Sequence, residues 1–145
     1  MLKGLDSLLT PELLMHLSAM GHGEWVAVVD ANFTADFLGK GEALVRLPGH
    51  SLERVSKAVL SVFPLAEDVA CPAAYMQVCH SPEGHQTAAQ ASVVALLSHE
   101  GLPASRVEAV ERFAFYEKIK GASVIVQSGE ATAYGNAMFC KGVIL

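Results

Sequence analysis

The run Trp25-Val26-Ala27-Val28-Val29, closed by Asp30, decides the fold. Consecutive apolar, β-prone residues are typical of a strand that is covered on both faces, so we place this strand at the centre of a sheet. Four further segments carry strand patterns: residues 73–79, 106–110, 123–127 and 137–140. Glu42 to Leu47 is also compatible with a short strand.

Helical patterns separate these strands. Thr10 is a suitable N-cap for a helix that Pro11 opens and that Gly21 ends in a left-handed conformation. The other helical patterns cover residues 52–63, 87–99 and 113–120, and the rest of residues 31–50 is predicted as loop. The alternation predicts one α/β domain over residues 1–145, built on an open, largely parallel sheet flanked by helices.

The composition favours self-association. Of the 145 residues, 52% are hydrophobic and 17% are charged, and the mean hydropathy is +0.36. A single sphere of this size has few polar groups with which to cover its surface, so we expect a homo-oligomer. The alternative is a monomer with an unusually apolar core.

Charge and hydropathy exclude several classes of partner. The net charge is −5, and the ten Lys and Arg residues are scattered singly rather than gathered into the basic stripe that nucleic acid requires. The sequence lacks an apolar run of the roughly 20 residues that span a bilayer, and its first residues lack the layout of a signal peptide. We therefore expect no nucleic-acid or membrane partner, and a cytoplasmic location.

Metal and cofactor motifs are also missing. Cys71, Cys79 and Cys140 are an odd number without CxxC spacing, which predicts reduced thiols. Cys79 and His80, with His85 nearby, lack the paired spacing of a metal site. The sequence contains neither a GxGxxG, a phosphate-loop nor a GxSxG pattern, so we predict a protein without metal or cofactor.

Polar residues beside the central strand are the first candidates for a site. Ligands of open α/β sheets bind at the carboxyl ends of strands, and Asp30 stands at such an end. His22, between two glycines, offers an imidazole, the side chain best suited to exchange protons at neutral pH. The alternatives are that His22 is a surface loop residue and that Asp30 caps the next turn.

A second set of candidates lies in the carboxyl-terminal third. Arg112, Tyr116 and the segment Tyr134-Gly135-Asn136 carry the guanidinium, phenol and amide groups that grip a polyhydroxylated ligand. Alternatively, Arg112 forms a surface ion pair with Glu111 or Glu117, Tyr116 only packs, and residues 134–136 form a simple tight turn.

The order of these segments carries a family resemblance. The segments in question are Met20-Gly21-His22-Gly23, Asp30-Ala31-Asn32-Phe33, Arg112-Phe113-Ala114-Phe115-Tyr116-Glu117, Ser128-Gly129-Glu130 and Tyr134-Gly135-Asn136. Their order is that of the RbsD/FucU family of sugar mutarotases and pyranases, which the chain resembles from its first residues to its last. The Arg112 and Tyr134 segments are similar to the fucose branch of that family. The resemblance implies a sugar mutarotase that interconverts the anomers of a monosaccharide, with L-fucose as the first candidate.

The resemblance also implies roles for particular residues. His22 matches the histidine that donates a proton, with Tyr134 or Tyr116 as a second proton group, and Asp30, Arg112 and residues 134–136 match the sugar-binding positions. It further implies a ring-shaped homodecamer of two pentamers, with sites between adjacent subunits and without a cofactor. The rival functions are a noncatalytic monosaccharide-binding protein and an enzyme that exchanges pyranose and furanose forms.

The spacing of His22 and Asp30 raises a geometric question. Eight residues in extended conformation span roughly 26 Å at ~3.3 Å each. Either the loops fold back, or a neighbouring subunit supplies one of the two groups. The second arrangement is our hypothesis.

Overall fold

The computed structural model describes residues 1–39 and 43–145, and within them six strands form one sheet with helices on both faces. The strands are β1 Trp25–Val29, β2 Ala43–Leu47, β3 Ala73–Met76, β4 Val107–Val110, β5 Val124–Ser128 and β6 Ala137–Cys140. The helices are α1 Pro11–Ala19, α2 Ala35–Leu38, α3 Leu52–Leu60, α4 Ala88–His99 and α5 Arg112–Ile119, and a 3₁₀ turn spans Ala104–Arg106.

The strand order is β2-β5-β1-β6-β3-β4. β1 and β2 both pair with β5 in parallel, and β3 pairs with β4 in parallel. β6 is antiparallel to both of its neighbours, and Phe139 lies opposite Val26 of β1 and Ala73 of β3. Five strands therefore point one way, which confirms the predicted α/β fold with a largely parallel sheet and an interior β1.

Each face of the sheet is covered by its own apolar layer, which explains the unbroken apolar run of β1. Val26 and Val28 belong to the layer that includes residues of α1, α3 and α4. Ala27 and Val29 belong to the layer on the other face, which includes residues of α2 and α5. Successive strand residues point to opposite faces, so a strand covered on both sides needs apolar residues at every position.

The end of α1 differs from the prediction. The helix ends at Ala19, and Gly21 does not adopt a left-handed conformation, whereas Gly23 does, with a φ of 83°. The Lys141 ammonium donates to the carbonyl oxygens of Leu17 at 2.7 Å and Met20 at 2.6 Å. A side chain far along the chain thus satisfies carbonyl groups at the end of α1 that a left-handed cap would otherwise have served.

The segment predicted mainly as loop contains a short helix, α2, at Ala35–Leu38. One helical turn is too short to show the apolar periodicity by which helices are recognised in a sequence. The possible strand of this segment is present as β2, although Glu42, where the prediction starts it, lies outside the described residues. Within residues 1–39 and 43–145, the helices are all too short or too polar to cross a bilayer.

Candidate active site

A cleft of about 400 Å³ opens at the edge of the sheet where β1, β3 and β4 end and the antiparallel β6 begins. It combines carboxylate, guanidinium, phenol and amide groups with apolar side chains. Its lining residues are Asp30, Asn32, Phe33, Thr34, Met76, Arg112, Tyr116, Ala133, Tyr134 and Asn136. The fold therefore brings together five residues predicted for the site: Asp30, Arg112, Tyr116, Tyr134 and Asn136.

Asp30 and Asn136 form the buried floor of this cleft, with 6% and 2% of their surfaces exposed. The Asp30 backbone amide donates to Asn136 Oδ1 at 2.9 Å, and the Asn32 amide donates to Asp30 Oδ1 at 3.0 Å. Asp30 thus does cap the following turn, as the alternative interpretation proposed, but it also lines the cleft. Burial raises the pKa of the Asp30 carboxyl above its usual value, while hydrogen bonds from Asn32 and Asn136 oppose that rise.

Gly135 lies behind the cleft rather than in its lining. A Cβ atom at this position would lie 2.7 Å from Glu130 Cγ, 3.0 Å from the Thr132 carbonyl oxygen and 3.4 Å from Asp30 Cβ. The Gly135 amide donates to that Thr132 oxygen at 3.2 Å. The absence of a side chain therefore lets the 134–136 turn approach Asp30 closely.

Arg112 and Tyr116 form a second wall from the first turns of α5. Arg112 Nε donates to the Tyr116 hydroxyl at 2.9 Å, because residues four apart lie on one face of a helix. The Tyr116 ring meets Phe33 edge to face, with ring centroids 5.8 Å apart. Tyr116 therefore packs and also presents its hydroxyl to Arg112.

The expected ion-pair partners of Arg112 are engaged elsewhere. Glu117 pairs with Lys120 at 2.6 Å, and the Glu111 carboxylate accepts from the backbone amides at the start of α5. The alternative that Arg112 serves a surface ion pair with Glu111 or Glu117 is therefore wrong for the described residues.

Tyr134 has an uncommon backbone conformation, with a φ of 63°. Bulky residues rarely adopt this left-handed region, and those that do often lie at functional sites. A hydrogen bond with the Cys79 side chain raises the pKa of the Tyr134 phenol, and burial adds to the rise. Like any tyrosine, Tyr134 carries a phenol that can donate a hydrogen bond.

His22 lies away from this cleft, beside the opposite end of β1. Its Nε2 atom is 2.9 Å from Asp68 Oδ1, and the hydrogen bond lowers the pKa of the Asp68 carboxyl below its usual value. The two residues share a separate cavity of about 520 Å³ with Leu65, Glu67, Gly142, Val143 and Leu145. Because β1 is extended between them, His22 and Asp30 do not meet within one chain, and the loops do not fold back to join them.

Asp68 and Met76 are among the residues of these sites that the sequence analysis missed. Asp68 follows Glu67 in a segment without a strand or helix pattern, and its pairing with His22 joins positions 46 residues apart. Met76 is the last residue of β3, and its sulfur lies 3.9 Å from Asn136 Nδ2. The predicted strand ran on to Cys79, and this misplaced end hid the position of Met76 at the rim of the cleft.

The part of the chain that the structure describes contains no group of three or more His, Cys, Asp or Glu residues placed to bind a metal ion. Cys71, Cys79 and Cys140 are free thiols. The chemistry of the two cavities therefore has to be considered as that of carboxylates, imidazole, phenol, amide and guanidinium.

The mixed sheet and the polar cleft at its carboxyl edge define the class: a small α/β protein whose cleft offers hydrogen-bonding groups suited to a hydroxyl-rich ligand, with apolar walls at Phe33, Met76 and Tyr116. Comparison with known proteins makes this assignment specific. The chain belongs to the RbsD / FucU transport protein family, which it matches over residues 3–144.

Named relatives and solved structures agree over nearly the whole chain. The human (Homo sapiens) protein named fucose mutarotase is 37% identical over 146 residues, covering 99% of this chain and 94% of that protein. The crystal structure of FucU from Bifidobacterium longum superposes with a TM-score of 0.90 at 36% identity, covering 99% of this chain and 100% of that one. The fucose mutarotase of Streptococcus pneumoniae, solved with L-fucose, gives a TM-score of 0.89 at 27% identity, with 99% and 100% covered.

Proposed function

We propose that this protein is a fucose mutarotase, an isomerase that interconverts the α and β anomers of L-fucose. The observation that carries the proposal is the cleft at the carboxyl edge of the sheet. It holds a carboxylate, a guanidinium, a phenol and an amide around a space large enough for one monosaccharide, in a chain whose relatives carry the name fucose mutarotase.

The reaction needs acid and base groups and no cofactor. Opening the hemiacetal ring removes the proton of the anomeric hydroxyl and supplies one to the ring oxygen, and closure on the other face of the aldehyde reverses both steps. We assign the principal proton exchange to His22, whose ring is oriented by Asp68. Tyr134 is the second proton group, because its phenol hydroxyl can donate and accept a proton and the residue lines the same cleft as Asp30.

The remaining cleft residues bind the sugar. The Asp30 carboxylate accepts hydrogen bonds from sugar hydroxyls, and Arg112 and the Asn136 amide donate to sugar oxygens. Tyr116 fixes Arg112 and adds its ring to the wall of the cleft. Gly135 contributes by bringing the 134–136 backbone close to Asp30.

The site is shared between subunits in this proposal. His22 with Asp68 is one half, the Asp30 cleft is the other, and the two lie toward opposite ends of β1 in each chain. Head-to-tail contact of neighbouring copies brings unlike halves together, and such contacts form a ring when the rotation from one copy to the next closes. Exposed apolar side chains beside both halves support this assembly: Phe113 is 67% exposed and Val143 is 58% exposed. A ring-shaped homodecamer is the assembly that we propose.

The free thiols support a reducing location, since cysteines in oxidising compartments are commonly paired. We therefore place the enzyme in the cytoplasm.

Anomer exchange of L-fucose followed by saturation-transfer NMR tests the activity. The wild-type protein should accelerate exchange, the His22→Ala variant should lose most of the acceleration, and a His99→Ala variant should keep it, because His99 lies exposed at the end of α4. Binding of L-fucose without faster exchange would instead identify a noncatalytic sugar-binding protein. Exchange between pyranose and furanose forms of D-ribose, with L-fucose unaffected, would identify a pyranase.

A further inference from the structure

Gln90 is a fully buried amide in the first turn of α4, with 0% of its surface exposed. Its Oε1 atom accepts from the Thr87 backbone amide at 3.0 Å. Its Nε2 atom donates to the carbonyl oxygens of Met76 at 2.6 Å and of Tyr134 at 2.8 Å. A side-chain amide has two N–H groups, so both donors are used, and such a satisfied buried network favours a single arrangement.

One of these bonds reaches the strained residue of the cleft. Tyr134 is one of two residues other than glycine with a positive φ among those described, and a strained conformation of this kind persists only where its surroundings hold it. The Tyr134 carbonyl accepts from two donors, the Asn136 amide at 2.8 Å and Gln90 Nε2. Gln90 is therefore the donor that holds this turn from outside it.

The other bond ties the turn to the sheet. Met76 ends β3, and its amide donates to the Asn136 carbonyl oxygen at 3.1 Å. By bonding both Met76 and Tyr134, Gln90 fixes the distance between two backbone segments that line the cleft. Asn136 in turn accepts from the Asp30 amide, so the arrangement extends to the carboxylate on the cleft floor.

We propose that Gln90 is a positioning residue of the sugar site. Its Nε2 group holds Tyr134 in the left-handed conformation and thereby fixes the Tyr134 phenol and the Asn136 amide toward the ligand, while Gln90 itself is not in the cleft lining. The part of this inference that concerns sugar rests on the proposed function, whereas the part that concerns Tyr134 does not.

The test compares Gln90→Met with Thr87→Val. The methionine keeps the length of the side chain and loses both donors to the carbonyls. The valine removes the hydroxyl that accepts from the Gln90 amide at 3.2 Å, which weakens the cap of α4 but leaves both Nε2 bonds in place. Both variants therefore disturb the start of the same helix, and only one disturbs the turn.

Two measurements are made on each protein: the Kd for L-fucose by calorimetry, and the ring signals of the chain's three tyrosines by carbon-13 NMR without ligand, assigned through Tyr→Phe variants. We expect Gln90→Met to weaken L-fucose binding at least tenfold and to shift or broaden the Tyr134 signal. Thr87→Val should keep the Kd within twofold and the Tyr134 signal unchanged, although it unfolds at a lower temperature.

Two results would overturn the proposal. One is a Gln90→Met protein with an unchanged Tyr134 signal and a Kd within twofold of wild type, and the other is an equal loss in Thr87→Val, which would trace the effect to helix stability. If Gln90→Met does not fold, Gln90→Asn serves, because it keeps an amide in the buried position but is one methylene too short to reach both carbonyl oxygens. A wild-type protein that does not bind L-fucose refutes the proposed function, and the Tyr134 signal still decides whether Gln90 positions the turn.

Discussion

Mixed oligomers of two inactive variants should recover activity if His22 and Asp30 meet only between subunits. His22→Ala lacks the proton group, and Asp30→Asn lacks the carboxylate on the cleft floor. When the two variants are co-expressed in equal amounts, a site is intact if its His22 comes from an Asp30→Asn subunit and its Asp30 from a His22→Ala subunit. Each has a probability of about one half, so about one quarter of the sites, and of wild-type activity per subunit, should return.

Strand β1 separates His22 from Asp30 within one chain. Its five extended residues alone span roughly 16 Å at ~3.3 Å per residue, and His22 and Asp30 line separate cavities, so a site within one chain does not contain both. The assay is NMR anomer exchange of L-fucose on oligomers purified through two different tags, one on each variant, so that every oligomer contains both.

A second mixture serves as the control. Wild type co-expressed with the double variant should retain about one quarter of the activity if the site is shared, but about one half if His22 and Asp30 act within one subunit. A mixture of the single variants without activity, together with one half in the control, would refute the shared site.

Three further predictions concern single positions. Gly135→Ala places a Cβ atom 2.7 Å from Glu130 Cγ, so the free energy of unfolding should fall by about 1–3 kcal/mol. Calorimetry should show this as a Tm lowered by about 2–4 °C for each kcal/mol, and an unchanged Tm would mean that the turn has room to move. Because burial raises the pKa of the Asp30 carboxyl, the affinity for L-fucose should fall as the pH is lowered through a value above the ordinary pKa of 3.8. The stability that this group contributes should be full below pH 3.8 and lost as the pH rises through the raised pKa. An affinity that stays constant until the pH is below 3.8 would contradict the raised pKa. Lys141→Met removes two hydrogen bonds to carbonyl oxygens at the end of α1, so denaturant unfolding should show a free energy of unfolding lower by about 1–3 kcal/mol. A change of less than about 0.5 kcal/mol would show that water replaces the ammonium group.

The sequence predicts most of the elements because local physics determines them. The apolar run Trp25–Val29 requires cover on two faces, and Thr10 and Thr87 both accept the amide hydrogen bond of an N-cap. Asp30 is recognisable because ligands of open α/β sheets bind where strands end, whereas the roles of Arg112 and residues 134–136 came from the resemblance to the RbsD/FucU family.

The rest depends on contacts between distant parts of the chain. A buried strand pattern does not encode direction, so nothing in residues 137–140 indicated an antiparallel strand between β1 and β3. Gln90 has the pattern of an ordinary helix residue until its carbonyl partners on β3 and at Tyr134 are known. Asp68 likewise becomes recognisable only through His22. Whether His22 and Asp30 meet is a property of assembled chains.

The place of β6 also determines when the protein can finish folding. It lies between β1 and β3, so until residues 137–140 pair, the strands can form only two unjoined parts, β2-β5-β1 and β3-β4, each with an unpaired strand edge. Pairing of Val26 with Phe139 closes one of the longest loops in the chain, a slow kind of event that leaves edges exposed to other nascent chains. The strand that joins the two parts of the sheet is therefore synthesised after all five strands that it connects.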